Sequence, residues 1–177
     1  MGEDKVEKFN DGMIKEEDYL PIFEKQAHKV EAFNIFDVII QDKKTKENLK
    51  QGWLKYVICN FHETTAWPES SSAQTMKRLG YKENDKYIYV PAFFPNEERE
   101  QKSLPPVQGL GKKALEEISI RGRAQGARGI FVVPSTTLFN ALLEREGFEP
   151  LEIKNKEDKS YIFDDKIYIT YHKLLKE

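Results

Sequence analysis

Apolar positions along the chain change their period several times, and each change predicts an element. Between Glu17 and Ala32, Tyr19, Leu20, Ile22, Phe23, Ala27 and Val30 form an i, i+3, i+4 stripe, which predicts a helix. Phe33 to Gln41 reads as a strand, because Phe36, Val38, Ile39 and Ile40 are aromatic or β-branched. After the polar run DKKTKEN, Gly52 to Phe61 predicts a second strand holding Trp53, Tyr56, Val57 and Ile58. His62 to Ser72 is rich in Thr, Ser and Pro and predicts a loop. A short helix from Ala73 to Leu79 would end at Gly80. Lys86 to Phe94 is the strongest strand, with Tyr87, Ile88, Tyr89, Val90, Phe93 and Phe94; Pro91 inside it predicts an edge or a bulge.

The second half continues with a charged loop bounded by Pro95 and Pro106, a helix from Gly109 to Gln125 and a strand from Gly129 to Val133. A further helix spans Ser135 to Arg145, with Ser135 or Thr136 as N-cap and Gly147 closing it. Short strands are predicted at Phe148 to Ile153, Tyr161 to Phe163 and Lys166 to His172. Residues 1–16 read as a charged, solvated arm and 17–177 as one domain. The order α, β, β, α, β, α, β, α, β, β is that of an α/β or α+β fold around one mixed sheet.

Composition narrows the function classes. At 177 residues the chain is long enough to bury a core without staples, and its 33% charged residues are balanced by recurring Phe, Tyr, Ile and Leu. The net charge of −2 gives no global basic field, so a nucleic-acid partner is disfavoured, although a local basic patch stays open. A single cysteine, Cys59, excludes an internal disulfide and a multi-cysteine zinc site; a buried, reduced thiol is expected. The N-terminal MGEDKVEKFNDGMIKEED lacks the apolar core of a secretory signal, and Val6 breaks the myristoylation pattern. No apolar stretch approaches the length of a membrane span. The expectation is a soluble, cytoplasmic protein without a metal and open to homodimerisation.

The chemistry concentrates in QGLGKKALEEI, Gln108 to Ile118. The first amides of a helix lack internal partners and lie at the positive end of its dipole, so glycines there let an anion approach. A nucleoside-triphosphate loop does not fit: Pro106 stands where its first glycine is required, and Lys113 where Ser or Thr should follow Lys112. Gly109-Leu110-Gly111-Lys112-Lys113-Ala114 formally fits a dinucleotide fingerprint. The next strand, however, ends in Val132-Val133-Pro134-Ser135 without the acidic residue that would meet a ribose, and too few strands follow. A plain tight turn remains an alternative, with Leu110, Ala114, Leu115, Ile118 and Ala124 as an ordinary core face. Gly122 in mid-helix costs about 1 kcal/mol against alanine and has no evident reason in the sequence.

The passage VQGLGKKALEEISIRGRAQGARGIFVVPSTTLFNALLEREGFEP, Val107 to Pro150, resembles the core of the GNAT (Gcn5-related N-acetyltransferase) superfamily. In that family a Gln/Arg-x-x-Gly-x-Gly/Ala loop opens a helix whose amides hold the coenzyme A pyrophosphate. A strand, a second helix, a Gly-Phe turn and another strand follow. Gly109 and Gly111 match the glycines, GIFVV the strand, and Glu146-Gly147-Phe148-Glu149 the turn. The resemblance implies an acyl-CoA N-acyltransferase-like fold, with a single mixed, mostly antiparallel central sheet flanked by helices. That sheet would splay after Lys86 to Phe94 to admit pantetheine. It implies acetyl-CoA as co-substrate, held by Gln108, Gly109, Leu110, Gly111, Lys112 and Lys113, and a primary amine on a small molecule, a lysine or a protein N-terminus as acceptor.

Three departures from the family pattern bear on catalysis. Pro106 replaces the usual Gln or Arg, so Gln108, Lys112 or Lys113 would have to substitute. The connection from Phe94 to Gly109 is long, and Leu143 stands where the second helix often carries a tyrosine acid. Glu97, Glu98 and Tyr89 are the candidate proton carriers, with Glu63 and His62 behind them. Tyr87, Tyr161, Tyr168 and Tyr171 are further candidate acids, and Thr64 to Ser72 a candidate acceptor wall. Arg121, Arg123 and Arg128 either meet the adenosine phosphate or solvate the surface. The alternative function is a non-catalytic CoA-binding or interaction module on the same fold.

Overall fold

The computed structural model describes residues 12–27, 33–62, 73–102, 106–133, 137–151, 162–163, 166–167 and 170–176. Its strands are β1 (Tyr19–Lys25), β2 (Asn34–Asp42), β3 (Asn48–Asn60), β4 (Lys86–Phe94), β5 (Ala127–Val132), β6 (Glu149–Pro150), β7 (Ile162–Phe163), β8 (Lys166–Ile167) and β9 (Tyr171–Leu174). Its helices are α1 (Ala73–Arg78), α2 (Glu97–Gln101), α3 (Leu110–Ala124) and α4 (Thr137–Arg145). Seven strands form one mixed sheet in the order β1-β2-β3-β4-β5-β9-β6, and β7 and β8 pair separately. By contact density the chain divides into two units, residues 1–55 with 94–117, and residues 56–93 with 118–177.

In the first unit, β1 replaces part of the predicted Glu17–Ala32 helix; residues 28–32 of that prediction lie outside the described residues. Pro21 explains the difference. Inside a helix it would remove a donor and clash with the carbonyl four residues earlier. On an edge strand it is tolerated. β1 pairs antiparallel with β2 from Tyr19↔Asp42 to Lys25↔Phe36. The Lys43 N–H bonds the Asp18 carbonyl and the Gln26 N–H bonds the Ile35 carbonyl, so the hydrogen-bonded pairs fall on even-numbered residues. Pro21 therefore sits opposite Ile40 in a non-hydrogen-bonded pair, with its nitrogen on the outer edge of the sheet. Buried Tyr19, Phe36, Val38, Ile40, Leu54, Val107, Leu110, Ala114 and Leu115 supply this unit's apolar interior. Gly52 is required where β3 meets the end of β4: a Cβ there would lie 2.0 Å from the Phe94 carbonyl oxygen.

In the second unit, β4 and β5 run parallel in the register Lys86↔Ala127, then Tyr87↔Gly129 to Val90↔Val132, with one irregularity between Lys86 and Tyr87. β5 then pairs antiparallel with β9 from Gly129↔Leu174 to Val132↔Tyr171. Ile88, Val90, Ile130, Phe131, Val132 and Leu143 are all fully buried. Glycines close two helices as predicted. At the end of α4 the Gly147 N–H bonds the Glu144 carbonyl and the Phe148 N–H bonds the Leu143 carbonyl, with Gly147 at φ +85°. Gly80 and Tyr81 repeat this pattern after α1. It is the left-handed helix stop that glycine adopts without strain.

Candidate functional site

The entrance of α3 is built by Gly109 at φ +74°, a conformation that L side chains adopt with strain. The first α-helical bond runs from the Lys113 N–H to the Gly109 carbonyl. The amides of Leu110, Gly111 and Lys112 thus precede any intrahelical partner and sit at the positive end of the dipole. The side chain of Leu110 is fully buried, so only its backbone faces the entrance, whereas Lys112 is exposed. Lys113 lies with Nζ 6.0 Å from the centre of the Tyr19 ring.

Gln108, also expected at the cofactor loop, has its backbone engaged within the chain. Its N–H donates to the Ile14 carbonyl at 2.8 Å, and its carbonyl accepts the Tyr19 hydroxyl at 2.5 Å. The Ile14 N–H in turn donates to the Pro106 carbonyl at 3.0 Å, so Ile14 and Val107 form a parallel bridge. Burial, and then the Glu16 charge, push the Tyr19 hydroxyl up to about 12, so it stays protonated and donates. Sequence reasoning missed Ile14, Glu16 and Tyr19 as part of this loop. The signal was faint: one aromatic in a charged segment.

At the other end of the β4–β5 pair, the last ladder bond runs from the Val133 N–H to the Val90 carbonyl at 3.0 Å. β4 continues for Pro91 to Phe94 beyond that register. Pro91 has no N–H with which to extend the ladder. It therefore marks where β4 parts from β5, and not a sheet edge, since β4 lies between β3 and β5.

The expected carboxylates lie at the start of α2. The Trp53 indole N–H donates to Glu97 Oε2, and the indole stacks on Phe94 with ring centres 5.0 Å apart. Glu98 is instead shared between Lys50 at 3.3 Å and Lys102 at 3.6 Å. Lys50 also pairs with Asp37 at 3.3 Å. Next to them, Asn96 Oδ1 is buried with no hydrogen-bond partner among the described residues. The two neighbouring glutamates thus differ: one is held by a neutral donor, the other neutralised by two ammonium groups.

Tyr89 is only 4% exposed, inside β4 opposite Phe131. Leu143, at the place of the family's tyrosine, is wholly buried. The Tyr171 hydroxyl donates to Glu144 at 3.3 Å, and His62 Nδ1 lies 2.9 Å from Glu83 Oε1. Burial pushes the Cys59 thiol up, partly offset by a hydrogen bond with Tyr87. Arg128 pairs with Asp85 at 3.6 Å, while Arg123 is exposed in the last turn of α3. Glu63, Tyr161, Tyr168 and Thr64 to Ser72 lie outside the described residues. Among the described residues no group of three or more His, Cys, Asp or Glu is placed to hold a metal, and no helix is long and apolar enough to cross a membrane.

No protein-family model and no curated protein matches this sequence. Solved structures do match. A mosquito arylalkylamine N-acetyltransferase like 5b overlays with a TM-score of 0.51 at 16% identity, covering 80% of this chain and 74% of that one. A protein assigned to the GNAT family of acetyltransferases, from Desulfovibrio desulfuricans, gives 0.46 at 13% identity over 82% of this chain and 70% of that one. AtaTR bound with acetyl-CoA gives 0.42 at 13% identity over 80% and 70%. The mosquito overlay, the sheet order and the parallel β4–β5 pair define the class of the fold: this chain has an acyl-CoA N-acyltransferase-like fold.

Proposed function

We propose that this protein binds acetyl-CoA and transfers its acetyl group to a primary amine. The observation that carries the reading is the entrance of α3, where a left-handed Gly109 exposes amides that precede the first helical bond. A pyrophosphate is the group such an entrance suits, because its charge is spread over oxygens that can each accept an amide hydrogen.

Acetyl-CoA would supply an activated acyl carbon as a thioester. The protein's task is then to orient that carbon and to take a proton from the incoming ammonium, since only the neutral amine attacks. Glu97 suits the base role better than Glu98, because a neutral indole N–H orients it while two lysines neutralise its neighbour. When the carbon–sulfur bond breaks, the sulfur must gain a proton. Leu143 cannot give one, and buried Tyr89 could do so only through a path to its hydroxyl.

That buried leucine favours one second reading, a CoA-binding module that does not turn over. Calorimetric titration with acetyl-CoA tests the shared first stage, and no heat at about 1 mM ligand sinks both readings. Coenzyme A release across a panel of arylalkylamines, polyamines and lysine or N-terminal peptides separates them. Release with any amine supports the enzyme, and binding without release supports the module.

A further inference from the structure

The last turn of α3, at the opposite end of that helix from its glycine entrance, borders a cleft of about 600 Å³. That size lies within the roughly 300–1,000 Å³ of small-molecule sites. The cleft belongs wholly to the second unit, where the end of α3, the starts of β4 and β5 and the end of β9 converge. Its lining sets three cations, Arg123, Arg128 and Lys176, against one carboxylate, Asp85. Two positive charges are thus in excess here, on a chain whose net charge is −2.

Those charges are not consumed within the fold. Arg123 and Lys176 are exposed and have no ion pair among the described residues. Arg128 meets Asp85 at 3.6 Å, well beyond a charge-assisted hydrogen bond of about 2.7–2.9 Å, and Asp85 Oδ2 already accepts the Lys82 N–H at 2.8 Å. The carbonyl end of α3 attracts cations, but it is answered from elsewhere: Lys86 Nζ reaches the Gln125 carbonyl at 3.4 Å, and the Gly126 N–H bonds the Arg123 carbonyl at 3.0 Å. The Leu175 N–H is bonded to the Arg128 carbonyl at 2.8 Å, so a ligand here would be held by side chains rather than by amides. Gly126, at φ +82°, has nothing within 4 Å of where a Cβ would stand, and the cleft stays open beside it. Leu174, 46% exposed, adds an apolar wall that the fold leaves uncovered.

We propose that this cleft binds a small phosphate monoester. Arg123, Arg128 and Lys176 hold the phosphate, and its organic body lies against Leu174. A dianion matches the two charges in excess, whereas a monocarboxylate answers only one of them. Guanidinium forks fit phosphate oxygens in geometry as well as in charge. The proposal does not depend on the cofactor reading above.

The test is an NMR titration of the ¹⁵N-labelled full chain with phenyl phosphate, benzoate and phenol at low salt and about pH 7.5, where a phosphate monoester is largely dianionic. Phenyl phosphate should bind with a Kd of about 1 mM or tighter and shift the amides of Arg123, Gly126, Arg128 and Leu175. Benzoate should bind at least about fivefold more weakly and phenol weaker still, because one unit of charge at about 4 Å is worth about fivefold even in the dielectric of water. Arg123→Gln and Lys176→Gln, at exposed positions where folding is not at stake, should each weaken phenyl phosphate by at least about fivefold. Arg128→Lys, which keeps the charge but loses the fork, should weaken it as well. Lys44→Gln removes the same charge from an exposed turn in the first unit and should change nothing. Equal weakening by Lys44→Gln would reveal a diffuse charge effect and overturn the proposal. So would benzoate binding as tightly as phenyl phosphate, shifts confined to amides outside the cleft, or no binding at about 10 mM ligand.

Discussion

Ile88 Cδ1 stands 1.9 Å from where a Cβ on Gly122 would be, and Ile88 is wholly buried in β4. The glycine in mid-helix is thus a packing residue that lets α3 lie close against the strand. Gly122→Ala should destabilise the protein by about 1 kcal/mol: overpacking costs about 1–3 kcal/mol and helix preference returns about 1 kcal/mol. Urea midpoints check this. Adding Ile88→Val removes the nearer atom and leaves Cγ1 at 2.8 Å, so Gly122→Ala should cost less in the Ile88→Val background than in the native protein.

His172 gives stability a specific pH dependence. Its Nε2 lies 2.9 Å from the Tyr81 hydroxyl, and a side chain on Gly129 would collide with both atoms. Burial pushes its pKa down to about 4. Above about pH 6.5 the ring is neutral in both folded and unfolded chains, and stability is complete. Between that pH and about 4 only the unfolded chain takes up the proton, so stability falls as pH falls, by roughly 3 kcal/mol in all. Comparing urea unfolding at pH 7.5 and 4.5 with that of His172→Gln isolates this loss; an identical pH slope in both proteins would refute it.

Trp53 should act through Glu97. Trp53→Phe keeps an aromatic ring to stack on Phe94 but removes the donor to the carboxylate. Glu97→Gln should lower kcat by about a hundredfold or more, as loss of a general base does. Trp53→Phe should lower it less, with KM for acetyl-CoA unchanged. The double variant should match Glu97→Gln alone. Multiplying losses would mean that the indole has another task.

Gly147 closes α4 with ample space around it, since the nearest atom to an added Cβ is Lys173 Cε at 3.6 Å. Only its φ of +85° opposes a side chain. Gly147→Ala should therefore cost about 1 kcal/mol in thermal or urea unfolding. Gly147→Asn should cost less, and a β-branched residue more, because they differ in tolerance of the left-handed region rather than in size.

The fold was readable wherever pattern and punctuation agreed. Lys86 to Phe94 was predicted with its observed bounds, and Gly80 and Gly147 marked real helix stops. The Tyr19 to Lys25 stretch was misread because an apolar cluster can satisfy helix spacing as well as strand alternation; Pro21 was the discriminating residue. α2 went unseen inside the Pro95–Pro106 loop, since Glu97–Gln101 is polar on every face. Of the candidate site, the glycine entrance was legible because glycine leaves a local signature. The Ile14 bridge was not, since Ile14 and Gln108 meet across more than ninety residues. The reason for Gly122 was equally hidden: it lies on Ile88, in another element.

Pro21 has a consequence for how copies of this chain can associate. With its nitrogen turned outward in the middle of β1, the outermost strand lacks a donor where a neighbouring molecule's strand would have to dock. At the opposite margin β6 is two residues long and ends in Pro150. Both flanks of the seven-stranded sheet are blunted by an imino acid, so the ladder resists lateral extension. Among the described residues neither flank offers an unbroken row of outward donors, which favours self-association through side chains on helices, loops or sheet faces, set by residues free to vary without disturbing the strands beneath.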